Sequence, residues 1–132
     1  MLLILTSLIA CGPCPTGEIL CDDQCVPQSI TAAEITEDVF SKSCAFSSCH
    51  SSAASASAGL QLHDEEAVVS MIDRPSTQST ETMLIAPGDP ENSYLIHKMK
   101  GFQLAEGTDS MPPGTTLCEG KIQLVEDWIL GL

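Results

Sequence analysis

Residues 41 to 53, "SKSCAFSSCHSSA", place two cysteines and a histidine at the end of a predicted helix. Cys44 and Cys49 are five positions apart, and side chains at that spacing point about 140° apart around a regular α-helix. Both thiols can therefore reach one ligand only if residues 45 to 48 leave the helix. A loop of this length also suits a local disulfide, because two α-carbons so separated can approach to about 6 Å. The stretch predicts either a shared ligand site or a disulfide.

The helix before this stretch has a clear start and a clear apolar face. Thr31 and Glu34 stand in the T-x-x-E pattern of a capping box, in which each side chain accepts a hydrogen bond from the other residue's backbone N–H. Apolar residues then recur on one face at helical spacing, at Ile35, Val39 and Phe40. We expect this face to pack in the core and to carry Cys44 to the core side.

A second and a third helix are predicted further along the chain. Asp64 can cap a short helix over residues 64 to 72, with inward side chains at Ala67, Val68, Met71 and Ile72. Asp89 and Pro90 suit the N-cap and first position of the next helix, and Gly101 suits its end. We expect this third helix to face the core with Leu95, Ile96 and Met99.

A last helix is predicted near the end of the sequence. It starts with a second capping box, from Thr116 to Glu119, and stops at Gly131. Trp128 should pack this helix against the first one, with Phe40. Four helices without a convincing strand predict an all-α domain. Their long connections fit a chain that wraps around a cofactor better than they fit a compact four-helix protein.

The first ten residues, "MLLILTSLIA", form an apolar run that is too short to span a bilayer. Leu8-Ile9-Ala10-Cys11 resembles the lipobox of bacterial lipoproteins, with a branched apolar residue three before the cysteine and a small residue just before it. The resemblance implies that residues 1–10 are a signal peptide and that Cys11 is lipidated. Acyl chains contribute about 0.8 kcal/mol per buried methylene, so no transmembrane helix is needed. The expected location is the bacterial cell envelope, at the periplasmic face or the outer membrane.

Seven cysteines in 132 residues indicate a disulfide framework in an oxidising compartment. Residues 11–30 are rich in cysteine, proline and glycine, and we interpret them as a linker ahead of a domain over residues 31–132. If Cys11 carries lipid and Cys44 and Cys49 hold a cofactor, three pairings are possible among the cysteines that remain: Cys14, Cys21, Cys25 and Cys118. The sequence does not choose between them.

The net charge of −13 limits the classes of partner. It would repel nucleic acid and anionic membrane surfaces, and it would attract a protein with a basic docking patch. The sequence also contains no Ser/His/Asp set and no phosphate-binding glycine loop. We therefore expect a protein that is not an enzyme.

Four stretches, in order along the chain, resemble the small cytochrome c-like domains of exported bacterial lipoproteins, especially those with a C-x4-C-H site. They are residues 39 to 62, "IAPGDPENSYLIHKMKG", "DSMPPGTTL" and "IQLVEDWILGL", and the likeness covers about residues 35 to 132. It implies a cytochrome c-like fold around haem c, with thioether bonds from Cys44 and Cys49 and with iron ligands His50 and Met111. Such His/Met ligation raises the reduction potential of the iron and suits a one-electron carrier.

The residues themselves leave some of these roles open. Pro112 biases Met111 toward an extended backbone, and the Pro-Pro pair stiffens the loop, which suits a ligand but also a core residue at a loop end. His97 could ligate iron or bind a propionate, although a partly exposed helix histidine is the simpler expectation. His63, beside Asp64, is expected at the surface.

The leading hypothesis is a monohaem c-type cytochrome that is anchored to the envelope and carries one electron. The alternative is a haem-free, disulfide-stapled lipoprotein with a cytochrome-like fold, which serves as a structural or binding module and pairs Cys44 with Cys49. A third possibility is a zinc site that combines Cys44, Cys49 and His50 with a distant ligand such as Cys118. An oxidising compartment disfavours zinc thiolate sites.

Overall fold

The computed structural model describes residues 14–21, 24–27, 31–51 and 59–132. The predicted signal peptide and Cys11 lie outside the described residues. The described chain is mostly helical, as the sequence predicts, with helices α1 (Ala32–Ile35), α2 (Ser41–Ser43), α3 (Glu65–Val69), α4 (Tyr94–Lys100) and α5 (Glu119–Leu130). Within this described part, no helix is long and apolar enough to cross a membrane.

Helices α1 and α2 belong to one helical run, joined by a π-helical turn at Thr36–Phe40. The predicted capping box is confirmed: the N–H of Glu34 donates to Thr31 Oγ1 at 3.2 Å, and the N–H of Thr31 donates to Glu34 Oε2 at 3.0 Å. The run ends at Ser43, so the helix stops just before Cys44. Its predicted apolar face is fully buried, at Ile35, Val39 and Phe40.

The predicted caps at Asp64 and Gly101 are confirmed, whereas Asp89 and Pro90 do not begin α4, whose N-cap is Ser93. The N–H of Ala67 donates to Asp64 Oδ1 at 2.8 Å at the start of α3. Asp89 caps a 3₁₀ turn at Pro90–Asn92, which leads directly into α4. Gly101 ends α4 with a φ of 66°, a left-handed conformation that glycine adopts without a steric penalty.

The start of α5 differs from the prediction. The capping box from Thr116 to Glu119 is wrong, because Cys118 is the N-cap and its Sγ accepts the N–H of Lys121 at 3.4 Å. The sulfur is held there by a disulfide to Cys21. A covalent bond from a distant part of the chain therefore decides where this helix begins.

A short antiparallel hairpin lies in the region where no strand was expected. Its strands are β1 (Glu18–Cys21) and β2 (Gln24–Pro27), and the pairing places Leu20 opposite Cys25. A disulfide between Cys14 and Cys25 cross-links the hairpin. Four-residue strands are too short for a readable alternation of polar and apolar residues, and an isolated two-stranded hairpin is only marginally stable. Cross-linking therefore explains a hairpin that local sequence does not predict.

The hairpin packs on the first turn of α5. Gly120 lies so close to it that a Cβ atom there would approach the carbonyl oxygen of Leu20 to 2.7 Å. The disulfide between Cys21 and Cys118 fixes the same contact covalently. The two strands are therefore joined to α5 by packing as well as by the disulfide.

One hydrophobic core unites the helices. Trp128 of α5 belongs to the same buried cluster as Phe40, as predicted. The cluster also includes fully buried side chains from other elements, among them Ile35, Val68, Met71, Ile85 and Leu124. Burial of side chains of this size contributes about 1.5–3 kcal/mol each, so the core dominates the stability of the fold.

Candidate functional site

A cavity of about 550 Å³ opens between the end of α2, helix α4 and the loop that precedes α5. Its volume falls within the range of roughly 300–1,000 Å³ that is typical of small-molecule and cofactor sites. Its walls are largely apolar, with contributions from Phe40, Leu62, Met71, Leu95 and Met99. The four residues that were predicted to hold a cofactor all line it: Cys44, Cys49, His50 and Met111.

The chain leaves the helix between the two cysteines. The N–H of Cys49 donates to the carbonyl of Phe46 at 2.8 Å, and the N–H of His50 donates to the carbonyl of Cys44 at 3.1 Å. These hydrogen bonds form a compact turn, which is the condition under which both thiols can reach one ligand. No disulfide joins Cys44 to Cys49; both are present as thiols.

Burial controls the chemistry of the Cys44 thiol. Desolvation raises the pKa of Cys44 from 9.0 to about 11, Lys121 acts to lower it, and Cys49 adds a smaller rise. The ammonium of Lys121 lies near the site, since its Nζ donates to Ser43 Oγ at 3.0 Å. At neutral pH Cys44 is therefore a protonated thiol on the cavity wall.

His50 is oriented by a backbone carbonyl. Its Nδ1 lies 2.9 Å from the carbonyl oxygen of Leu60, and its own carbonyl accepts the N–H of Leu62 at 2.8 Å. When Nδ1 donates to a carbonyl, the neutral ring keeps the lone pair on Nε2. A hydrogen bond from the ring nitrogen that does not bind the metal to a carbonyl is typical of metal-binding histidines. His50 thus has the tautomer and the fixed ring that an iron ligand requires.

Met111 reaches the cavity from the loop between α4 and α5. Its N–H donates to the carbonyl of Lys98 at 2.7 Å, which ties the loop to the end of α4. The side chain is only partly buried, so Met111 is not a residue of the main core. A thioether on the wall of a cavity is positioned to contact a bound group.

The charges around the cavity contrast with those of the whole protein. The chain has 18 acidic residues, yet the described residues that line the cavity include no Asp or Glu. Arg74 and Lys98, two of the five basic residues, do line it. The cavity therefore suits a ligand that is largely apolar and carries negative charge.

The other two histidines lie elsewhere. His97 is buried in α4 with Nε2 at 2.6 Å from the carbonyl oxygen of Glu91, and it does not line the cavity. The expectation that it is partly exposed is therefore wrong. His63 is partly exposed, with Nε2 at 2.8 Å from Asp64 Oδ2.

The zinc alternative loses its proposed fourth ligand. Cys118 is consumed in a disulfide with Cys21. Among the residues that the structure describes, no three His, Cys, Asp or Glu side chains are grouped as a metal ion would need. The donors that do meet at the cavity include a methionine sulfur, which suits haem iron better than zinc.

The two basic residues of the cavity, Arg74 and Lys98, were not predicted from the sequence as site residues. Lys98 follows Tyr94 and Leu95 at helical spacing, and both of these line the cavity, so the pattern contained a usable signal. Arg74 comes from the connection between α3 and α4, which folds back on itself: the N–H of Leu84 donates to the carbonyl of Arg74 at 2.7 Å. No local pattern predicts that path.

Comparison of the chain with protein-family models, with curated proteins and with solved structures gives no match. The cavity and its side chains are therefore the basis on which a function can be proposed.

Proposed function

We propose that the protein is a monohaem c-type cytochrome with a cytochrome c-like fold, a one-electron carrier anchored to the bacterial envelope through a lipid on Cys11. The observation that carries the proposal is the convergence of Cys44, Cys49, His50 and Met111 on one cavity. Their spacing departs from the usual two residues between haem-binding cysteines. The turn between Cys44 and Cys49 supports the proposal despite this spacing, because neither thiol is constrained to a regular helix.

Each protein group has a separate task in binding haem c. Cys44 and Cys49 would hold the group through thioether bonds: each sulfur would bond to one vinyl carbon and the thiol hydrogen would go to the other, so no oxidant would be required. His50 would offer Nε2 and Met111 would offer its thioether sulfur as iron ligands. Arg74, which is exposed at the cavity, can pair with a propionate carboxylate.

When bound, haem would supply one-electron exchange between ferrous and ferric iron. The apolar walls would limit the access of water to the group and, together with the thioether of Met111, would favour the less charged ferrous state. The acidic surface attracts a redox partner with a basic docking patch, and such attraction increases the association rate more than the affinity. These properties suit transient electron transfer.

Co-expression with a cytochrome c maturation system tests the proposal. We expect one haem per chain that stays attached after denaturation, with a pyridine haemochrome spectrum and an added mass of one haem. Cys49→Ala should leave a single thioether. Cys14→Ala/Cys25→Ala, which changes two cysteines outside the cavity, should not reduce covalent attachment. A colourless chain with a Cys44–Cys49 disulfide would refute the proposal.

The two disulfides support a second candidate function. One disulfide cross-links the hairpin and the other joins it to α5, and neither bond requires a cofactor. A haem-free lipoprotein could then use the same cavity as a binding module for an apolar anion, with Arg74 near its charge. In that case covalent haem should be absent, and reversible binding of such anions to the purified chain should be measurable by calorimetry.

A further inference from the structure

Lys98 is a buried cation on the cavity wall. Its side chain lies in α4 with the residue only 8% exposed, although lysine is rarely buried unless it is paired. Within the described part of the chain, no carboxylate lies within ion-pair distance of its ammonium group. Instead Nζ donates a hydrogen bond to the carbonyl oxygen of Asp109 and lies 5.9 Å from the centre of the Tyr94 ring. Burial of a lysine is energetically costly, and the ammonium group of Lys98 is bound by a loop instead of by a carboxylate.

Lys98 contacts that loop at two points on either side of Ser110. Its ammonium binds the carbonyl of Asp109, and its backbone carbonyl accepts the N–H of Met111. One residue of α4 therefore holds both ends of the three-residue segment that carries Met111. A pair of hydrogen bonds at this spacing restrains the direction of the backbone as well as its position.

Between Met111 and Leu117, which packs against the core, the described chain has few polar restraints. Across residues 112 to 117, the described structure contains no hydrogen bond, and the two prolines have no N–H to donate. Before Asp109 the loop is tied to α4 through Tyr94, whose hydroxyl lies 3.3 Å from Thr108 Oγ1. Lys98 is thus the last restraint before Met111 and the one that acts on Met111 itself.

We propose that Lys98 is a positioning residue for Met111: its ammonium and its carbonyl together hold the methionine sulfur toward the cavity. The inference rests on the proposed haem ligation by Met111. Without the ammonium, the carbonyl of Asp109 loses its donor and the segment gains conformations in which the sulfur points away. A thioether held by a free loop occupies the ligand position for a smaller fraction of time.

The test compares three variants of the haem-loaded protein. Lys98→Met removes the ammonium but keeps a side chain of similar reach, and Lys98→Arg restores a cation. Lys100→Met is the matched control, because Lys100 lies on the same helix but pairs with Glu126 at 2.7 Å, away from the cavity. The readouts are the red charge-transfer band of thioether-bound ferric iron and the reduction potential.

We expect Lys98→Met to lower the ratio of methionine-bound to methionine-free iron by about tenfold, equivalent to about 1.4 kcal/mol, and to lower the potential. Lys98→Arg should recover most of the band, and Lys100→Met should keep it. Equal bands and potentials in Lys98→Met and Lys100→Met would refute the positioning role. Absence of haem from the unmodified protein would instead refute the proposed function, so the two failures are distinguishable.

A measurement on the unmodified haem protein covers the case in which Lys98→Met does not fold. Amide hydrogen exchange should show the N–H of Met111 protected by at least tenfold relative to the amides of residues 114 to 116. Equal exchange rates for the amide of Met111 and the amides of residues 114 to 116 would overturn the proposal, because the restraint at Lys98 would then be absent in solution.

Discussion

The thiol of Cys44 should react far more slowly than an ordinary cysteine. Its pKa is raised to about 11 from 9.0, chiefly by burial. The thiolate is the reactive form, so at pH 8 a rise of two units lowers the reactive fraction about 100-fold. Steric protection of a side chain that is 9% exposed would slow the reaction further.

The assay is alkylation of the haem-free protein with iodoacetamide, followed by mass spectrometry of the peptide that contains Cys44. At pH 8 we expect Cys44 in the folded chain to be alkylated at least about 100-fold more slowly than the same cysteine in denaturant. The alkylation rate in the folded chain should increase about tenfold per pH unit up to pH 10. Circular dichroism should verify that the haem-free chain is folded. A rate in the folded chain within a few fold of the denatured rate would refute the assignment of Cys44 as a buried thiol.

The same pKa shift predicts a loss of stability at high pH. The folded state favours the neutral thiol, so the unfolded chain loses its proton first as the pH rises. Stability is therefore unaffected below about pH 9 and falls between pH 9 and 11, by at most about 2.7 kcal/mol. Cys44→Ala should remove this part of the pH dependence, and an unchanged pH profile in urea unfolding would contradict it.

Three further predictions concern the ligand, the disulfides and the charge at the cavity. Met111→Leu should abolish the thioether charge-transfer band and lower the potential of the haem protein; a band that persists would mean that another residue is the distal ligand. Removal of the Cys21–Cys118 bridge, which spans 97 residues, should cost about 4.7 kcal/mol in urea unfolding against about 2.8 kcal/mol for Cys14–Cys25, which spans 11, from loop entropy. If removal of either bridge lowered the free energy of unfolding equally, the longer bridge would not constrain the unfolded chain more than the shorter one. Arg74→Gln should lower the potential by at most about 40 mV, and less at high salt, because the residue is exposed. A change that is the same in redox titrations at low and high salt would argue against a direct charge effect.

Local chemistry made part of the fold predictable. The Thr31–Glu34 box and the Asp64 cap are interactions between residues three apart, and short-range patterns encode them. The apolar face of the first helix follows from its period, and it is buried as expected. These local patterns predicted the structure correctly, whereas the equally local Thr116–Glu119 box did not, because Cys118 is the N-cap of α5.

Features that depend on distant residues were not predictable in this way. The pairing of Cys21 with Cys118 moves the start of α5 and stabilises a hairpin whose strands are too short to have a recognisable pattern. Arg74 reaches the cavity only because its connection folds back against Leu84. The candidate ligands were found because their order along the chain resembles a known arrangement. Their shared cavity is a property of the tertiary structure.

The cross-linked hairpin also limits how far the protein could work from a membrane. Cys14, where the first disulfide begins, follows Cys11 by three positions, so the α-carbons of these two cysteines are at most about 11 Å apart. With a lipid on Cys11, such a tether gives the domain almost no reach into the surrounding space. If the protein is the proposed electron carrier, its donor and its acceptor would both have to come to the membrane surface, and it would exchange electrons in place instead of shuttling them across the envelope.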